Sequence, residues 1–95
     1  MTIEITATYY ARFHIVYTKP YTDERRKRLD EAIRECALPF APSLSVDESR
    51  WFGHSKAVSG MYAGSDREAV EQAAAALEAK LGRMKIARLV PPEEL

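Results

Sequence analysis

Residues 3 to 17 alternate without interruption. Ile3, Ile5, Ala7, Tyr9, Ala11, Phe13, Ile15 and Tyr17 are apolar or aromatic, and Glu4, Thr6, Thr8, Tyr10, Arg12, His14 and Val16 stand between them. Side chains on a strand point to opposite faces with a period of two, so the segment reads as one strand with one face committed to a core. At about 3.3 Å per residue it runs roughly 50 Å when straight. A globule of this chain length is only about 35 Å across. The strand is therefore expected to bend, to bulge or to run past the edge of its domain. The last of these offers an edge to another chain, and a homodimer through sheet-edge or sheet-face pairing is the expected assembly.

Ninety-five residues suit one domain with a single modest core. Fourteen basic side chains balance fourteen acidic ones. Nucleic-acid binders draw much of their affinity from a basic excess, so nucleic acid is a disfavoured partner unless a local patch supplies the charge. The one cysteine, Cys36, allows no internal disulfide, and a reducing cytoplasm is the expected compartment. Residues 1 to 17 alternate where a signal peptide would be continuously apolar, and no apolar run reaches bilayer length, so no membrane contact is expected.

Lys19-Pro20-Tyr21 reads as a turn, and Thr22 caps a helix over 23–37 with Asp23 and Glu24 in its first turn. Leu29, Ala32, Ile33, Cys36 and Ala37 fall on one stripe of that helix. Residues 43–52 read as a second strand, Gly53-His54-Ser55 as a turn and 56–63 as a third strand returning antiparallel. Ser65-Asp66-Arg67-Glu68 has the form of a capping box with Ser65 as the cap. Val70, Ala73, Ala74, Leu77 and Leu81 form the second stripe, Gly82 is placed to end that helix, and 83–90 reads as a fourth strand. Pro91-Pro92 stops it, and residues 91–95 are expected to form a loose acidic tail. Strand, helix, strand, strand, helix, strand, with one apolar stripe per helix, predicts an α+β ferredoxin-like sandwich. Its two helices lie on one face of a four-stranded antiparallel sheet ordered 4-1-3-2.

That architecture leaves one sheet face open. With Ile3, Ile5, Phe13 and Ile15 toward the helices, Tyr10, Arg12 and His14 occupy the open face of a central strand. The third strand offers two alternatives: Ala57, Ser59, Met61 and Ala63, or Lys56, Val58, Gly60 and Tyr62. The small first set suits the space beneath helices, which sends Lys56 and Tyr62 to join Tyr10, Arg12 and His14 in one partner-binding cluster. A second partner-binding candidate is the hairpin tip, with Arg50, Trp51 and His54, where Trp51 and Phe52 cannot both face the core of a regular strand. The plain alternative for both is a solvated sheet surface.

Other features read as structural. Arg25-Arg26-Lys27-Arg28 is interleaved with acids, giving the i,i+4 pairs Asp23–Lys27, Glu24–Arg28, Arg26–Asp30, Lys27–Glu31 and Asp30–Arg34, a salt-bridge-laced helix face. Cys36 sits on the apolar stripe, across the sheet from His14, and reads as core. His14, His54 and Cys36 lack metal-ligand spacing, no cofactor motif is present, and Gly60, Gly64 and Ser65 offer only a weak phosphate site.

These absences favour a small non-enzymatic binding or regulatory protein that works through protein–protein contacts, as an inhibitor or adaptor does. The alternative is a dimeric α+β barrel type of enzyme or ligand-binding protein, with His14 as general base and Arg12 holding an anionic substrate. A second alternative is an RNA-binding domain stacking bases on the open face. The stretch Lys56-Ala57-Val58-Ser59-Gly60-Met61-Tyr62 departs from the pattern that RNA-recognition strands carry.

Overall fold

The computed structural model describes residues 7–39, 42–47, 49–52 and 55–91. Ile3, Ile5, His54, Gly53 and residues 92–95 of the sequence reading lie outside that set. The elements run β1 (Tyr9–Tyr17), α1 (Asp23–Ala37), β2 (Ser43–Val46), β3 (Arg50–Phe52), β4 (Ser55–Gly64), α2 (Arg67–Met84) and β5 (Ala87–Leu89). The antiparallel sheet is ordered β2-β4-β1-β5, with β3 also pairing β4. This is the ferredoxin-like order, the second expected strand being divided in two.

The division has a simple cause. Ser43–Val46 lie opposite Ala63–Gly60, whereas Arg50–Phe52 lie opposite Ala57–Ser55. Between Val46 and Arg50 the chain has one more residue than β4, which is the count of a β-bulge. Asp47 N–H donates to the Ser59 carbonyl at 2.8 Å as the ladder breaks. The extra residue exchanges the faces of everything after it.

The helices follow their periodicity closely. Thr22 caps α1, its hydroxyl accepting from Arg25 N–H at 3.2 Å, and Leu29, Ala32, Ile33, Cys36 and Ala37 are all buried. Of the five ion pairs expected along α1, Arg26–Asp30 forms, at 3.4 Å, and is the one formed within 4 Å among the described residues. Two boundaries of α2 differ from expectation. The cap is Asp66, not Ser65: its carboxylate accepts from both Glu68 N–H and Ala69 N–H, and a negative charge gains from the positive end of the helix. Gly82 does not end the helix. Lys85, in the left-handed region at φ 58°, does so, and its N–H donates to the Leu81 carbonyl at 3.2 Å. The last strand is shortened accordingly.

Phe13, Ile15 and Tyr17 of β1, Val58 and Tyr62 of β4 and the two helix stripes form the main core. Phe13 and Tyr62 meet ring to ring at 5.3 Å. Gly60 lies directly opposite Phe13, and a Cβ there would stand 2.6 Å from both the Phe13 ring and the Ser45 carbonyl oxygen. The absent side chain makes room for the ring. A smaller cluster of Val16, Ala57 and Val90 is buried at one end of the opposite face.

Candidate functional site

The β1–β4 register assigns the face that the helices leave uncovered. Tyr10 is opposite Ala63, Arg12 opposite Met61, His14 opposite Ser59 and Val16 opposite Ala57. Strand alternation puts these residues on one side and Phe13, Ile15, Val58 and Tyr62 on the other. Tyr10 is 60% exposed, Arg12 is exposed and His14 is half-buried. Tyr10, Arg12 and His14 thus stand on the open face of one strand.

Lys56 and Tyr62 do not join them. Tyr62 is fully buried beneath α1, where its hydroxyl donates to the Ile33 carbonyl at 2.7 Å, and burial pushes its pKa upward. A phenol can enter a core when its oxygen finds a partner, and the unused carbonyl capacity of a helix supplies one. Lys56 lies on the same side, with its ammonium 4.7 Å from the Trp51 ring centroid and 5.1 Å from that of Tyr21. The five-residue cluster separates into an open-face trio, a core tyrosine and a lysine held between two rings.

The hairpin candidates separate too. Arg50, exposed, lies opposite Ala57 on the open-face side, whereas Trp51 lies opposite Lys56 and is 65% exposed. The bulge produces this alternation. The part played by His54 lies outside the described residues.

A residue missed from sequence is Ser59. Its hydroxyl oxygen is 2.8 Å from His14 Nδ1, a direct cross-strand contact at the floor of a shallow depression. The depression, about 210 Å³, is walled by Arg12, His14, Ser45, Asp47, Ser59 and Met61. The sequence reading places Ser59 in the set facing the helices, and the structure puts it on the open face instead. The signal was the register: once Tyr62 is placed in the core, Ser59 must fall beside His14. As a catalytic dyad the pair is incomplete among the described residues. No carboxylate is hydrogen-bonded to the second imidazole nitrogen, and the Ser59 carbonyl is held in the ladder by Asp47. What it can do is present a hydroxyl, an imidazole and a guanidinium together to a polar ligand.

A second concavity, about 640 Å³, lies between β1, α2 and the end of β5, with apolar Ala11, Phe13, Ala74, Leu77, Leu89 and Pro91 in its lining beside the polar Arg12, His14, Glu71 and Glu78. Cys36 is buried and unpaired, and burial raises its thiol pKa, as a core role requires. No group of three potential metal ligands occurs among the described residues, and none of their helices is long and apolar enough to cross a membrane.

No protein-family model and no curated protein matches the chain. Solved structures similar to it are the de novo designed protein Foldit4 (TM-score 0.67, 16% identity, covering 90% of this chain and 98% of that one) and the de novo designed protein Ferredog-Diesel (TM-score 0.50, 18% identity, covering 96% and 91%). At these identities the likeness extends to the fold alone: an α+β sandwich with two helices over an antiparallel sheet.

Proposed function

We propose that the chain is a small non-enzymatic binding protein of the inhibitor or adaptor type, and that it contacts a protein partner through the open sheet face around Tyr10, Arg12 and His14. One observation carries this reading: a large aromatic, 60% exposed, stands beside an exposed arginine on a strand whose other face is anchored in the core. Tyrosine and arginine are preferred anchor residues of protein interfaces, and a rigid strand holds them at little entropic cost. A cytoplasmic setting accords with a single buried thiol.

A second reading rests on the Ser59–His14 contact: a small polar or anionic ligand held in the depression between Arg12 and Ser45, bound or turned over there. The deciding experiment is affinity capture from native cytosol with and without nuclease. Capture is expected to fail for Tyr10→Ala/Arg12→Ala and to survive Arg50→Ala/His54→Ala, with each variant first shown to melt like the parent. The reverse pattern would move the site to the hairpin tip, and nuclease-sensitive capture would replace the protein partner with RNA.

A further inference from the structure

We propose that the Tyr10–Arg12 edge of β1 pairs antiparallel with the same edge of a second copy, joining the two sheets across a two-fold axis at Ala11. Val90 N–H donates to the His14 carbonyl at 2.9 Å, which fixes the side toward which His14 directs its backbone groups. Backbone N–H and C=O directions alternate along a strand, so those of Tyr10 and Arg12 point to that same side. There β5 pairs only with Ile15, Val16 and Tyr17. Among the described residues no strand pairs with Tyr9–Phe13 on that flank.

The sequence after Val90 is a poor match for this edge, since Pro91-Pro92 brings two residues without an N–H to give a strand carbonyl. A second copy matches it well. In an antiparallel self-pairing centred on Ala11, Tyr10 of each copy faces Arg12 of the other, each pair exchanging both of its N–H···O bonds and setting a guanidinium beside a phenol ring. Ala11 meets its own mate at the axis, where a small side chain suits the close approach of strands. A pairing centred on Arg12 would oppose two guanidinium groups and is disfavoured. The chosen register ends before His14, which Val90 already holds. Zero net charge removes any general repulsion between copies.

Sedimentation equilibrium of the purified full chain, from micromolar to millimolar, tests the proposal. The mass is expected to rise with concentration from 10.7 kDa toward the dimer. Tyr10→Pro deletes an outward N–H that β4 does not use and is expected to weaken the dimer by about tenfold or more. Tyr10→Arg opposes like charges and is expected to weaken it also, while the exchange Tyr10→Arg/Arg12→Tyr restores it. If the proline variant does not fold, this pair of variants decides. A chain that stays at 10.7 kDa throughout, or a dimer indifferent to Tyr10→Arg, overturns the proposal and leaves the edge to a segment of another protein. Partner capture is read separately, so a monomer that still captures its partner would sink the dimer and spare the proposed function.

Discussion

Tyr62 and Tyr10 carry the same side chain on opposite faces of one sheet. Tyr62 is fully enclosed, ring against Phe13 and hydroxyl on the Ile33 carbonyl. Tyr10 is 60% exposed, on the face away from Phe13 and Tyr62. The difference shows where this small domain invests its constraint. On the helix side no buried side-chain nitrogen or oxygen among the described residues lacks a hydrogen-bond partner, so stability depends on that fit. On the open side Tyr10 and Arg12 are exposed, so their truncation opens no core cavity.

Substitution at these two tyrosines should break that contrast most sharply, if it can be broken. Tyr62→Ala is expected to cost about 3–5 kcal/mol in chemical denaturation and Tyr10→Ala under about 0.5, whereas Tyr62→Phe isolates the buried hydrogen bond at about 1 kcal/mol. Equal losses from the two alanine variants would mean that the faces are exchanged. Gly60→Ala is next in size. The added methyl meets both the Phe13 ring and the Ser45 carbonyl of β2 too closely, so both must give way, and a loss of about 1–3 kcal/mol is expected from the same measurement. A neutral result would show that the helix side is looser than its burial implies.

The smallest effect is a pH dependence. Burial, with Tyr21 and Asp30 nearby, raises the Tyr17 pKa from 10.0 to about 12. The unfolded chain then loses its proton first, so the stability is intact below the unfolded value and drains away as pH rises through the folded one. The denaturation midpoint should be lower at pH about 11 than at about 8, with Tyr17→Phe showing a smaller fall. A fall unchanged by Tyr17→Phe would assign the effect to other groups.

Both helices and the strand order were legible because apolar residues at helical spacing leave few alternatives, and Thr22, Leu29 and Leu77 behave as their positions require. The faces of β4 were not. A period of two divides a strand into two sets without saying which is inward, and size misled: the small set Ala57, Ser59 and Met61 looks fit for the space under a helix. What decides is tertiary, namely the Ile33 carbonyl waiting for the Tyr62 hydroxyl and the Phe13 ring requiring Gly60. The bulge before Arg50 was invisible for a related reason, since register belongs to a pair of strands and not to either sequence. Of the candidate site, Tyr10, Arg12 and His14 were readable from β1 alone. Ser59 needed the partner strand.

The Lys56 ammonium held between Tyr21 and Trp51 has a spectroscopic consequence. Trp51 is the chain's single tryptophan, and it sits outside the main core on a three-residue strand. Its fluorescence therefore watches a seam, the place where β3 and β4 meet the approach to α1, and is blind to most of the interior. The interior speaks through Tyr17 and Tyr62 in the near-ultraviolet. Emission and dichroism followed on one sample report two different events in the same molecule.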